Sequence, residues 1–588
     1  MKKILYTFVL CLSFLTMNAQ NITETDKYFI FIKTWNFLKY YHPEFTSGRV
    51  NADSFFLTKQ HLVEKIKTQS EMNDMLLRTI QQLGPLNIKA ELQQATLKNI
   101  LKINPVHKWY IENKEVNDDL KKYLLNVYNS RDVKSNYYAP PLNYGSEIPN
   151  EKKYEFAASE NLPVGIRLLA LAKLNGTIDY LYPHKTLMTE DWDTVIKRNI
   201  SLFKNCSSRK DYEVLILKIV ANLNDSHAYN RFYSSLKFKK EIFKNTFYPP
   251  FDYKIIDRRI LVTGIIVPEV CTQAGINIGD WITEINEQSV STRIDTLSKL
   301  LTASNRNKLI SKISEYGTNL IWSADGSDFR MKLQSNGKEK SAFVSFIHLN
   351  DQVNTQKINT YFQNKYIKAD SLKGFMLLKN NIAYFNIDRI IQLVQQVSED
   401  KLDQHLDSIL NLASKQKGII FDMRGYPQWS GFIYTFLYKK FGSHDQRFAK
   451  YFKANLNNIG TFNWLDTAST YHNATVVPEQ FKYKGKVMII VNAETRSLSE
   501  WETMDLQSMF PNAKTIGEQT SGGDGDEKYI NIPGNYEVHF TGNAIYYPDG
   551  TSAQGKGVRI NKIIHPSPSA ILEGKDTLLN YAIQQVEQ

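Results

Sequence analysis

The chain has 588 residues, 42% of them apolar and 12% aromatic, which excludes wholesale disorder and leaves room for roughly three to five domains. The formal net charge of +12 is spread along the sequence, and the densest cluster, Lys237-Phe238-Lys239-Lys240, is interrupted by a hydrophobe and followed by Glu241. With no zinc-finger spacing, recognition-helix signature or long basic tract, nucleic acid is not an expected partner.

At the start of the chain, Lys2 and Lys3 precede an apolar run, Ile4–Met17, that closes on a small residue at Ala19. That order predicts an export signal over 1–19 and a periplasmic or secreted protein. The run is too short for a comfortable membrane span, and no later segment approaches that length. Beyond it only Cys206 and Cys271 remain. Two cysteines make no disulfide framework and show no metal spacing, so neither metal nor cofactor is expected.

Residues 20–128 read as a helical domain, with Lys27–Leu83 almost free of Gly and Pro apart from His42-Pro43. A second helical unit, 164–243, repeats the plan: Trp35–Pro43 aligns with Asn175–Pro183, pairing Tyr40 with Tyr180 and Pro43 with Pro183. This predicts a degenerate duplication. Between the copies, 129–163 is rich in Tyr, Pro, Asn and Glu and reads as a linker or long loop. The second unit ends in an apolar helix, Val214–Leu223, that delivers Asp225-Ser226-His227 at its C-terminal end. A histidine there is a helix-end cation, a satisfied core group or a catalytic base, and the local pattern does not choose.

After a strand run at Arg259–Val267 come Ala274-Gly275-Ile276, Gly279-Asp280-Trp281-Ile282 and Ile285-Asn286. This segment closely resembles the core of a PDZ domain, here expected over 244–350 with Thr296–Leu320 as an inserted helical piece. The resemblance implies capture of an extended peptide as an added strand. From 366 to 588 strands alternate with helices: Asn381–Ile387, Lys401–Ala413, Gly418–Phe421, Gly431–Phe441 and Val487–Val491. That alternation predicts an α/β core. Tyr536–Ile564 reads as several strands joined by turns such as Pro548-Asp549-Gly550.

Within this core Ser497 stands between the strand Val487–Val491 and a helix running to Pro511. A helix N-terminus favours negative charge developing beside a nucleophile there. Ser497-x-x-Glu500 is equally a capping box, in which the serine satisfies helix amides and does no chemistry.

Taken in order, five elements are similar to the S41 family of serine peptidases, which includes the C-terminal processing proteases and the tricorn core. They are Asp225-Ser226-His227, the PDZ-like module, Asp422-x-Arg424-x-x-Pro427, the Ser497-x-Ser499-Glu500 turn, and Gly517-Glu518-x-Thr520-x-Gly522. The resemblance covers about Leu168 to the C-terminus. It implies a multidomain α+β protein with a helical N-terminal region, a β-rich PDZ-like domain and a crotonase-like α/β catalytic core of the S41 type. The processing proteases place a base lysine after the Gly-Glu-x-Thr-x-Gly segment, where this chain has Gly523. Tricorn-like members use a Ser-His pair ahead of the PDZ domain. The resemblance therefore implies Ser497 as nucleophile, His227 as general base and Ser226 in an orienting role. It implies oxyanion donors in the backbone amides of Leu498 and Gln428, the latter in a turn, 425–431, that lacks the usual paired glycines. Gln554 stands where tricorn-like sites have a glutamate, and Arg559-Ile560-Asn561 replaces the family's Pro-Asp-Ile.

Two readings follow. One is an exported serine-type peptidase acting on peptides or proteins through an acyl-enzyme. The other is a catalytically silent relative that binds peptides or apolar ligands through the same cleft. The presence of both Ser497 and Ser226-His227 favours the first; Gln554 and the altered turn favour the second.

Overall fold

The computed structural model describes residues 21–89, 100–102, 107–140, 147–228, 230–369, 373–441, 447–455, 458–465 and 483–588. The export signal expected over 1–19 lies outside the described residues. No described helix is long and apolar enough to cross a membrane. The protein is a mixed α+β chain with a helical N-terminal region and several sheets. It folds as two compact units, one holding residues up to Leu215 with Ala454–Asn463 and Lys528–Val538, the other Ile216–Lys453 with Trp464–Glu527 and His539–Gln588.

The first unit is helical: α1 (Glu24–Tyr41), α2 (Ala52–Lys65), α3 (Gln69–Gln81), α4 (Asp118–Asn129), α5 (Val164–Leu181) and α6 (Trp192–Asn205). The two segments aligned by sequence, α1 and α5, pack on each other: Tyr40 and Tyr180 rings lie 4.7 Å apart and Asn36 donates to the Ala172 carbonyl at 3.0 Å. Both helices are buried almost all round, which is why neither shows a clean amphipathic stripe. Charge enters this core in pairs, as burial requires. Lys173 bridges Asp53 (2.7 Å) and Glu151 (3.0 Å), and Lys39 also meets Glu151. Glu151 lies in the segment expected as a linker. That segment's described residues, 129–140 and 147–163, form no helix or strand beyond Asn129 and pack on the helices: the Tyr138 hydroxyl accepts from the Ala52 amide and Asn136 donates to the Tyr40 carbonyl. The helical segment expected to run from 164 to 243 divides between the two units after Leu215.

The second unit contains two sheets that matter for the site. The first is antiparallel, with β1 (Phe251–Ile256), β2 (Arg259–Ile265), β3 (Trp281–Ile285), β4 (Asp328–Ser335) and β5 (Lys338–Ser345) in that order. The helix Pro268–Ala274 ends at Gly275; of two further helices, α7 (Val290–Ser298) and α8 (Arg306–Ser314), α8 falls in the stretch read as an insertion and α7 mostly precedes it.

The second sheet carries β6 (Phe375–Leu378), β7 (Ile382–Asn386), β8 (Gly418–Asp422), β9 (Lys486–Val491), β10 (Lys514–Gly517) and β11 (Lys562–Ile563) in spatial order. All but β6 run parallel, with Asn386 beside Asp422, Asp422 beside Ile490 and Val491 beside Gly517. Residues Ile382–Asn386 and Gly418–Asp422 are buried without alternation, as strands covered on both faces must be. In such sheets loops after the carboxyl ends of adjacent strands converge, and ligands bind there. Three loops do so: 423–431 after β8, 492–497 after β9 and 518–526 after β10. Gly517 is required where two of them meet, because a Cβ there would lie 2.0 Å from the Val491 carbonyl oxygen and φ is +128°.

Candidate active site

The loop after β9 is fastened before it reaches Ser497. The hydroxyls of Thr495 and Ser499 both donate to the Met423 carbonyl, at 2.8 and 3.0 Å, which bolts the turn to the end of β8. Asp422 and Arg424 are part of the same support. Arg424 pairs with Asp422 and with Asp576 (2.6 and 2.7 Å), and the Tyr384 hydroxyl donates to Asp422 at 2.8 Å.

Between these fixed points the chain turns into the helix Leu498–Met509, and Ser497 takes φ +48° and ψ −120°. Such a backbone is strained for a side-chain-bearing residue and persists only where the surroundings impose it. The capping box closes in both directions: the Ser497 side chain faces the Glu500 backbone N–H, and the Ser497 N–H donates to the Glu500 carboxylate at 3.2 Å. The half-buried hydroxyl keeps its own hydrogen available to a base.

Glu500 does far more than close a cap. It is fully buried, and its oxygens also accept from the Thr520 hydroxyl (2.5 Å) and the amides of Gly522 (2.7 Å) and Gly523 (3.0 Å). Burial pushes its carboxyl up to about 7, against the pull of these four donors. The same burial drives Glu502 and Asp524 well above the usual carboxylate range, with the Glu500 charge adding to the effect on Asp524.

The glycine loop held by Glu500 meets the Asp225-Ser226-His227 segment. Ser226 donates its hydroxyl to the Ser521 carbonyl at 3.2 Å, and a Cβ on Gly523 would lie 3.0 Å from the Ser226 Cβ. Any side chain at 523 would press on Ser226, which would have to give by a few tenths of an ångström. Ser226 also exchanges two hydrogen bonds with Ser304, its N–H donating to the Ser304 hydroxyl (2.9 Å) and its hydroxyl accepting from the Ser304 N–H (3.0 Å). His227 is not at a helix end: the helix closes at Ala221, and His227 occupies a separate short turn, Ser226–Ala228. Its Nδ1 lies 2.7 Å from the Thr541 hydroxyl.

The structure thus gathers Ser497, Ser226 and His227 into one hydrogen-bonded assembly through Glu500 and the 520–523 loop. No direct hydrogen bond joins His227 to Ser497 among the described residues; catalytic contacts of this kind often tighten only around substrate. Gln554 is buried against the same assembly, yet its amide faces Ser304 at 3.5 Å and its oxygen has no partner among the described residues. The amides of Leu498 and Gln428 make no hydrogen bond among the described residues. The glycine-poor turn around Gln428 is held instead by Trp429, whose ring lies 5.4 Å from that of Phe436, and by Arg496 over Tyr426 at 5.4 Å. No group of His, Cys, Asp and Glu suited to a metal ion occurs among the described residues.

Sequence reasoning missed Ser304 and Thr541. They lie 78 and 316 positions from their partners Ser226 and Asp225, and no local motif marks either. Glu500 was visible, but only as a cap.

Residues 381–562 match the family model for Peptidase family S41. No curated protein matches the sequence. Among solved structures, a CPAF mutant is similar at 12% identity over 72% of this chain and 97% of its own, with a TM-score of 0.51. Mature CPAF is similar at 11% identity over 72% and 98%, TM-score 0.49. The photosystem II D1 C-terminal processing protease is similar at 13% identity over 71% and 98%, TM-score 0.31. At such identities the likeness to the CPAF mutant bears on the fold alone, and the other two carry no further argument.

Proposed function

We propose that the protein is an exported serine-type peptidase with Ser497 as nucleophile and His227 as general base. The observation that carries this reading is the strained strand-to-helix turn that presents Ser497, tied through Glu500 to the loop that packs against Ser226. Ser497 Oγ attacks the scissile carbonyl carbon while its proton passes to Nε2 of His227. The oxyanion is held by the backbone amides of Leu498 and Gln428. His227 returns the proton to the leaving amine, and water then hydrolyses the acyl ester by the same route. Ser226 holds the glycine loop, and Gln554 supports Ser226 through Ser304 rather than touching the nucleophile. No cofactor or metal takes part. The antiparallel sheet β1–β5 serves as a PDZ-like module over 244–350 that takes a peptide as an added strand, and removal of residues 1–19 yields a periplasmic or secreted enzyme.

The second reading, a catalytically silent peptide binder, is favoured by the altered turn at 425–431 and by Gln554, which brings no charge to the site and whose oxygen has no partner among the described residues. A peptide library digested by the purified protein and read by mass spectrometry separates the two. The enzyme reading predicts new cleavage products that vanish in Ser497→Ala and His227→Ala; peptides retained but uncut by the wild type overturn it.

A further inference from the structure

We propose that Thr541 is a positioning residue, linking the buried Asp225 carboxylate to Nδ1 of His227 and fixing the imidazole in the tautomer whose Nε2 bears the free lone pair. The inference rests on the reading of His227 as general base and deepens it.

Asp225 and Thr541 are both fully buried. Asp225 Oδ2 accepts the Thr541 N–H at 2.6 Å, and Oδ1 accepts the Thr541 hydroxyl at 2.8 Å and the His227 N–H at 3.0 Å. The direct path from His227 Nδ1 to Asp225 Oδ1 is 3.9 Å, too long for a hydrogen bond. Thr541 Oγ1 fills that gap, 2.7 Å from Nδ1.

Proton accounting settles the direction. A hydroxyl has one hydrogen, and a carboxylate can only accept. The Thr541 hydrogen therefore points to Asp225, and its oxygen presents only lone pairs to Nδ1. Nδ1 must carry the hydrogen, which leaves Nε2 bare in the neutral ring, the state a general base needs. Asp225 also holds the His227 backbone, so one buried carboxylate sets both the position of the turn and the protonation pattern of the ring. Thr541 ends the strand Tyr536–Thr541, its N–H is held by Asp225 and the next N–H, of Gly542, donates to the Asp526 carbonyl at 2.7 Å, so its backbone is placed without the histidine. A threonine there acts as a fixed relay in the place where a carboxylate usually touches histidine directly.

The test uses the full chain labelled with 15N-histidine, in the wild type and in Thr541→Val and Thr541→Ser. Valine keeps the shape and removes the hydroxyl; serine restores it. The nitrogen chemical shifts of neutral His227 report the tautomer, and the rate of Ser497 modification by a fluorophosphonate reports base function without a known substrate. The wild type and Thr541→Ser are expected to show the Nδ1–H tautomer. Thr541→Val is expected to shift to Nε2–H or a mixture, with the saturating labelling rate falling on the order of 10- to 100-fold, less than the roughly 10²–10⁴-fold a general base supplies in full. Probe affinity should stay within about two-fold, since uniform binding is untouched. An Nε2–H tautomer in the wild type overturns the proposal even if the valine variant fails to fold. So does a valine variant that keeps both tautomer and rate, or a folded serine variant that restores neither. If His227→Ala labels at the wild-type rate, the base assignment itself fails, and the tautomer readout still decides the role of Thr541.

Discussion

Glu500→Gln is the most revealing single change in the site. The carboxylate accepts four hydrogen bonds, two on each oxygen: Thr520 hydroxyl and Gly522 amide on one, Gly523 and Ser497 amides on the other. An amide keeps one acceptor oxygen and turns an N–H2 toward two donors, so either the Thr520–Gly522 or the Gly523–Ser497 side of the loop is released. Stability reports the change through its pH dependence. In the folded protein the Glu500 carboxyl titrates at about 7 instead of the ordinary 4.5. Between those values the folded state keeps a proton that the unfolded chain has lost. The stabilisation is complete below pH 4.5 and is lost as pH rises to 7. The shift of about 2.5 units corresponds to about 3 kcal/mol. Glutamine cannot titrate, so the variant should lose about 3 kcal/mol less than the wild type between pH 4.5 and pH 8 in urea unfolding, whatever its absolute stability. Glu502 contributes a slope of the same sign in both proteins, and the Asp524 slope shrinks in the variant, because the Glu500 charge that helps raise it is gone, which adds to the difference in the same direction. Peptide cleavage by the variant should fall at least about tenfold, the size of a lost charge-assisted contact. Parallel stability curves for the two proteins would show that Glu500 is not a buried titrating anchor, and the account of the loop would fail.

Other substitutions test separate parts of the argument. Gly523→Lys forces a Cβ to 3.0 Å from that of Ser226, so it should cost about 1–3 kcal/mol of overpacking and abolish cleavage rather than create a lysine-based site; the melting temperature and peptide assay check both. Gly517→Ala faces the Val491 carbonyl at 2.0 Å with φ +128° and is expected to yield insoluble or strongly destabilised protein, read by soluble expression and thermal unfolding. In the helical unit, Lys173→Met leaves Asp53 and Glu151 short of a buried partner. It should cost about 3 kcal/mol, measured by urea unfolding followed through the buried Trp35 and Trp192 fluorescence.

Much of the site was legible because its pieces are local. Ser497 is marked by a strand, a polar loop and a helix in immediate succession, and Gly523 by its distance from Gly517-Glu518. His227 was found through chain order, although its placement was misjudged by a turn: the helix stops at Ala221, and Asn222–Asn224 turns the chain before Ser226. What stayed hidden depends on contacts closed only by folding. Ser304 lay in a stretch read as an insertion, yet Asn305 and Asn307 beside it donate to the Thr520 and Gln519 carbonyls, which makes that stretch part of the site's wall. Glu500 carries a strong local pattern, the capping box, and that pattern concealed its longer reach to Gly522 and Gly523. The described parts of 129–163 have a loop's composition, and their buried places come from contacts far away in sequence: Glu151 with Lys39 and Lys173, Tyr138 with Ala52 and Asn136 with Tyr40.

The claim that matters most is that Ser497 is a nucleophile activated by His227. Incubation of the purified protein with a fluorophosphonate, followed by intact-mass and peptide mass spectrometry, tests it without knowledge of the substrate. The account predicts a single adduct on Ser497, absent in Ser497→Ala and formed on the order of 10²-fold or more slowly in His227→Ala. Wild-type protein that is folded and remains unlabelled would contradict it.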